Sequence, residues 1–293
     1  MFSIRNCFIV ILALLIPAGA FAGQPRCCSC SQQTVVGTYA LAYEGTVINS
    51  TQGPVPAAGL FLITISREGK VAAHGYMAVG EDITPFGIEG ESEISGEMIV
   101  NSDCTGTVDW EDGKIDELII LGGGNEISSI MISGGPLGAP IVTGKWKRIS
   151  RIHDINHPLM GWGSRVIGTY VVQQSGYNFD PDLGFFVPGG WLGNMAIYHD
   201  NTIECRGIAM VGGTQMPFTF ANGVWGDGEL KCTVTGGGDI MAYGVQYAGH
   251  VEDWLIVLDG GNELWGIALS EPGGSPVSLM TAKRVSLRPI DLE

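Results

Sequence analysis

Leu118-Ile119-Ile120-Leu121-Gly122-Gly123-Gly124-Asn125-Glu126 is echoed by Leu255-Ile256-Val257-Leu258-Asp259-Gly260-Gly261-Asn262-Glu263. Each stretch is an apolar run cut by a glycine turn, which reads as a strand entering a tight reversal. Around these two stretches a longer text repeats. The first copy opens at Gly37-Thr38-Tyr39 and closes at Lys147-Arg148-Ile149-Ser150. The second opens at Gly168-Thr169-Tyr170 and closes at Lys283-Arg284-Val285-Ser286. A repeat of this length is a duplicated domain rather than a solenoid unit.

Helical periodicity is missing throughout, whereas short strands bounded by turn residues follow one another along both copies. Leu60–Ile65, the turn Arg67–Lys70 and Val71–Val79 form one hairpin. Asn194–His199, Asp200-Asn201 and Thr202–Val211 repeat it. Glu97–Asn101, Cys104–Trp110, Ile115–Leu121, Ile127–Ile132 and Ile141–Ile149 continue the first copy. The expectation is an all-β protein of two tandem small antiparallel β-barrels, about eight strands each, because closure removes exposed edges. A sandwich is the competing arrangement.

Residues 1–22 read as a cleaved signal peptide: Arg5, the apolar run Cys7–Ile16, then Ala20-Phe21-Ala22. The organisation expected after it is a Cys-rich tail at 23–36, a barrel at 37–150 and a linker at 151–167. A second barrel at 168–288 and a short tail at 289–293 complete it. The apolar run is too short to span a bilayer, so the chain is expected to be exported, to the periplasm or beyond, with no membrane span. A net charge of −15 argues against nucleic acid as a partner. With 45% apolar and 15% charged residues, the chain has ample material for two cores. Lys147-Arg148 and Lys283-Arg284 read as solvated strand ends.

Six cysteines follow the signal peptide, and in an exported chain they read as disulfides. Cys104-Thr105 aligns with Cys232-Thr233, and Cys205 falls where the first copy has Ala73. A Cys205–Cys232 bond is therefore expected in the second copy. Cys104 is left to bond one of Cys27, Cys28 or Cys30.

No Gly-x-Ser-x-Gly elbow, His-Glu-x-x-His pair or phosphate-binding loop occurs. His153 and His157 have helical metal-ligand spacing but lie in a Gly/Pro-rich linker, so no metal site and no cofactor are expected. Asp116 aligns with Asp253 and Glu126 with Glu263. A carboxylate of this set turned into an apolar barrel would have a raised pKa and act as a general acid or base. Turn positions on an acidic surface are the simpler reading of all four.

The string Val100-Asn101-Ser102-Asp103-Cys104-Thr105-Gly106-Thr107, then Gly-Gly-Asn-Glu, then Thr143-Gly144-Lys145-Trp146-Lys147-Arg148, resembles exported bacterial proteins with lipocalin-like or allene-oxide-cyclase-like barrels. Such barrels include carriers as well as enzymes that cyclise or isomerise apolar substrates. The resemblance therefore implies a fold and leaves the chemistry open.

The two copies differ most in aromatics. Trp191, Trp225, Trp254 and Trp265, with Phe186 on the 176–193 insertion, enrich the second copy, while the first has only Trp110 and Trp146. The leading expectation is a non-enzymatic protein whose second barrel binds an apolar or aromatic small molecule through these five residues. The alternative is a cyclase or isomerase working by acid/base catalysis. A third reading is a cell-surface assembly protein, with a protein partner or self-association.

Overall fold

The computed structural model describes residues 29–49, 53–88, 92–134, 139–150, 166–180, 182–200, 202–220, 230–234, 239–246, 249–270 and 276–289. The signal-peptide segment, Cys27, Cys28, Trp225 and the His153/His157 pair lie outside them. No helix among the described residues is long and apolar enough to cross a membrane.

The first half folds into nine strands: β1 (Gly37–Asn49), β2 (Gly53–Ile65), β3 (Lys70–Val79), β4 (Asp82–Phe86), β5 (Ile94–Val100), β6 (Thr105–Trp110), β7 (Lys114–Leu121), β8 (Glu126–Gly134) and β9 (Ala139–Ser150). All pair antiparallel in the order β2-β1-β9-β8-β7-β6-β5-β3-β4, and β2 also pairs with β3. That last pairing closes eight strands into a barrel and excludes the sandwich for this half. The ninth strand, β4, lies outside the ring. Along one edge of β3, Lys70–Ala73 pair with β5 and Gly75–Val79 pair with β4.

The second half repeats the plan with β10 (Gly168–Asp180), β11 (Phe185–Ile197), β12 (Thr202–Val211), β13 (Thr214–Phe220), β14 (Leu230–Val234), β15 (Asp239–Gln246), β16 (Gly249–Leu258), β17 (Glu263–Ser270) and β18 (Pro276–Ser286). Its sheet runs β11-β10-β18-β17-β16-β15-β14-β12-β13, with β11 also pairing β12. The joint between β12 and β14 is two residue pairs long, Thr202–Lys231 and Ile203–Leu230.

That register corrects the expected Cys205–Cys232 bond. Counting outward from Thr202–Lys231, the two cysteines lie about four ladder positions apart, roughly 13 Å along the strands. A disulfide needs Cα atoms within about 7 Å. Cys205 is a buried free thiol. Burial, with the Asp253 and Glu204 charges adding to it, pushes that thiol well above its ordinary pKa. The two Cys-Thr dipeptides stand at non-equivalent positions of the two sheets. By pairing, Lys231 matches Glu97, so Cys232 occupies the place of Met98.

Cys30 and Cys104 do form a disulfide. It ties the tail onto the barrel, where Ser31 precedes the short helix α1 (Gln32–Val35) and Val35 is fully buried.

Tyrosine and arginine explain the repeated motifs. The Tyr39 hydroxyl donates to the Gly124 carbonyl at 2.7 Å and accepts from Arg148 Nε at 2.9 Å, while the guanidinium lies 5.1 Å from the Tyr39 ring centroid. Tyr170, Gly261 and Arg284 repeat this, with Tyr170 donating to Gly261 at 2.8 Å. Gly-Thr-Tyr, Gly-Gly-Asn-Glu and Lys-Arg are thus three parts of one latch, which corrects the solvated-end reading of the arginines. Gly123 and Gly260 supply the left-handed backbone the turn requires, both at φ 63°.

Three apolar clusters result. One fills the first barrel and a second lies within the second sheet. The third is a seam between the two halves, where the outer face of β1–β3 meets the outer face of β16–β18. At its edge Lys147 bridges to Asp259 at 2.8 Å and Glu263 at 2.6 Å.

Candidate functional site

The interior of the first barrel is nearly full. Tyr39, Leu41 and Tyr43 point inward from β1, as strand alternation requires, and meet Phe61, Met77, Trp110, Met131 and Trp146. A void of about 20 Å³ lies among them, bordered by Tyr43, Phe61, Trp110 and Lys114. That is room for about one water molecule.

Asp116 faces this interior and has no solvent exposure. Its Oδ2 accepts from the Tyr43 hydroxyl at 2.5 Å and from Trp110 Nε1 at 2.7 Å. Its Oδ1 has no hydrogen-bond partner among the described residues. Burial raises the carboxyl pKa, against the downward pull of the Tyr43 and Trp110 hydrogen bonds and the Lys114 charge. Burial raises the Tyr43 pKa well above its ordinary value too, and the Asp116 charge adds to it. Lys114 is itself buried and paired with Asp112.

Asp116 is therefore the inward carboxylate rather than a surface-turn acid. Neither Tyr43 nor Trp110 was singled out in the sequence. The alternating spacing of Tyr39, Leu41 and Tyr43 was the available signal. A carboxyl with a raised folded pKa stabilises the fold fully below its unfolded pKa, and this contribution is lost as pH rises through the folded value. Asp116→Asn mimics the protonated form. Its melting temperature relative to wild type should therefore climb as pH goes from 4 to 8. A difference that stays flat across that range would show that Asp116 is not protonated more readily in the folded state.

The sequence-predicted aromatics do not share one mouth. Trp191 packs against the cluster inside the second sheet. Trp254 is buried on the opposite face, in the seam, edge-on to His74 and Tyr76 of the first half. Trp265 and Phe186 pack on the seam too, with Trp265 Nε1 donating to Glu263 at 2.8 Å. Trp265 borders a cleft of about 240 Å³ between the halves, with Glu44, Leu60, Lys145 and Gln173 on its walls.

Matched inward positions separate the two interiors more sharply. Pairing registers place Ala209 where the first barrel has Met77, Ala268 where it has Met131, and Ala282 where it has Trp146. Gly244 stands in the place of Trp110. Other exchanges run the opposite way, Gly59 to Trp191, Gly144 to Met280 and, by smaller steps, Ala73 to Cys205 and Val71 to Ile203. Tyr43 and Val142 become Gln174 and Ser278, a buried pair joined at 2.6 Å. Asp253 keeps the ladder place of Asp116. At these matched positions the second sheet thus carries smaller side chains in place of Met77, Trp110, Met131 and Trp146, and adds a polar pair.

No family model matches this chain, and no curated protein matches it. Among solved structures, a protein of unknown function from the DUF3598 family of Nostoc punctiforme is 10% identical, with a TM-score of 0.27, covering 87% of this chain and 99% of its own. An AttH-type protein from Nitrosomonas europaea is 12% identical at a TM-score of 0.25, covering 93% and 99%. A porin-like protein from Bacteroides uniformis is 7% identical at 0.20, covering 88% and 98%. Likenesses this weak carry nothing over to this chain, whose barrel rests on its own strand pairing.

Proposed function

We propose that this is an exported, non-enzymatic binding protein whose second half closes as a second eight-stranded barrel and holds a small apolar or aromatic molecule inside. The loss of bulk at matched inward positions carries the reading: alanine or glycine replaces Met77, Trp110, Met131 and Trp146 on the same scaffold. An eight-stranded barrel is the size that is either packed solid or left with room for one ligand, and the two halves take one option each. Trp191 offers an aromatic wall, and Gln174 with Ser278 a polar contact to orient the guest. The β12–β14 pairs support closure of the barrel. The Cys30–Cys104 bond fits an oxidising compartment, as export of the chain from a signal peptide requires.

A neutral naphthylamine probe whose emission rises in apolar surroundings tests this. Saturable binding is expected. Restoring the first barrel's bulk with Ala209→Met and Ala268→Met should weaken it about tenfold or more, since no room would remain. Absence of saturable binding by any apolar probe, or binding indifferent to both methionines, refutes the proposal.

One observation favours the acid/base alternative. Asp253 stands at the ladder position of Asp116, in the roomier interior. Conversion of a bound apolar polyene that is lost in Asp253→Asn, while probe binding persists, would identify a cyclase or isomerase instead.

A further inference from the structure

The seam between the halves joins two different faces. The first half offers the outer face of β1–β3, and the second half offers the outer face of β16–β18. Because the halves are copies, each also carries the face that it does not use. The first half has β7–β9, equivalent to β16–β18. The second half has β10–β12, equivalent to β1–β3.

Both unused faces keep part of the seam's apolar pattern. In the seam, Ala40, Leu60, Tyr76 and Ala78 are at most 4% exposed. Register matches them to Val171, Leu192, Ile208 and Met210, which are 42–59% exposed. On the opposing side, Ile256, Leu258, Ile267 and Val277 are at most 2% exposed. Their counterparts Ile119, Leu121, Ile130 and Ile141 are 44–65% exposed. Rows of aliphatic side chains facing solvent at interface positions mark an association surface rather than scattered apolar residues.

The charges at the rim repeat as well. Lys147 pairs with Glu263 across the seam. The matched residues are Lys283 on the second half and Glu126 on the first, both exposed. They would meet if the second half of one molecule received the first half of another as the seam does.

We infer that molecules of this chain associate head to tail, with the outer β10–β12 face of one seated on the outer β7–β9 face of the next, repeating the internal seam. A heterologous contact of this kind builds a ring if its rotation closes and a filament if it does not. The intermolecular joint is weaker than the internal one. Trp254, Trp265 and Leu279 of the seam are replaced by Glu117, Ser128 and Thr143, and Asp259 by Gly122, which removes one of the two ion pairs. The internal joint also gains from its covalent linker, which holds the two faces at high effective concentration. The outcome is reversible assembly that depends on concentration.

Sedimentation of the purified protein from micromolar to near-millimolar concentration reads this directly. Species larger than the monomer should appear as concentration rises. Ile119→Lys with Ile141→Lys blocks one face, and Leu192→Lys with Ile208→Lys blocks the other. Each pair should raise the half-assembly concentration about tenfold or more. Mixing the two defective proteins should give a dimer that neither forms alone, because each retains the face its partner needs. All substituted sites are exposed, so the folds should survive, and unchanged circular dichroism checks this. A monomer at every concentration, or assembly indifferent to either pair of lysines, overturns the inference. So does a mixture that forms no dimer.

Discussion

Replacing Cys30 and Cys104 with serine should lower the unfolding free energy by about 4 kcal/mol. The bond spans 74 residues, and a loop of that length loses much of its freedom in the unfolded chain when it is closed. The folded side adds to the effect. Cys30 is buried, its N–H donates to the Ser102 carbonyl at 3.3 Å, and Val35 joins the same apolar core. Arg148 also reaches the Thr34 carbonyl, and Gly124 lies so close to that carbonyl that a Cβ would come within 2.0 Å of it. The bond therefore secures a segment that the Tyr39–Arg148 latch packs against. Urea unfolding of wild type and the double serine variant provides the measurement. An unchanged midpoint at unchanged slope would mean that the cysteines are not bonded in the native protein. Cys205 is the internal control, since its buried thiol should resist alkylation until the second half unfolds.

Much of this architecture was legible from residues. The repeated turns marked two copies of one text, and the even spacing of short strands pointed to the small antiparallel barrel that the first half forms. The compartment argument together with the repeat paired Cys104 with the tail. What could not be read was face. Leu255-Ile256-Val257-Leu258 is apolar on both sides of its strand, because one side packs inside the sheet and the other packs in the seam. Alternation therefore gives no cue there, and a shift of one residue reverses every assignment. Trp254 lies one residue after Asp253 and so points outward, which no composition argument separates from a ligand wall. The Cys205–Cys232 pairing failed for a related reason. A local Cys-Thr match outweighed the ladder register, which depends on loop lengths that the eye cannot weigh. The strands β4 and β13 were missed as members outside the ring because each borrows part of one edge of its neighbour.

The asymmetry between the copies is clearest at one matched pair, Trp146 and Ala282. Trp146→Ala should destabilise the protein by about 3–5 kcal/mol, near the upper end for a single core substitution. Its side chain is 1% exposed, lies edge-on to Tyr39 with centroids 6.3 Å apart, and donates from Nε1 to Ser129 Oγ at 3.0 Å. The void next to Tyr43 already holds only about 20 Å³, so the barrel has little slack with which to close over the gap. Ser129 would lose its partner inside an apolar wall, which adds to the cost. The reverse change, Ala282→Trp, should restore no stability to the second half. It would occupy the space that the proposed ligand needs and remove naphthylamine binding, while Trp146→Ala leaves that binding intact. Paired denaturation and probe titrations of both variants read the contrast. A loss below about 1 kcal/mol for Trp146→Ala would show that the first barrel is not packed around this ring. Probe binding that survives Ala282→Trp would show that the guest lies elsewhere. If instead Trp146→Ala costs stability and Ala282→Trp abolishes probe binding, the same position serves stability in one copy and binding in the other, and the duplicated fold carries its site in only one of its halves.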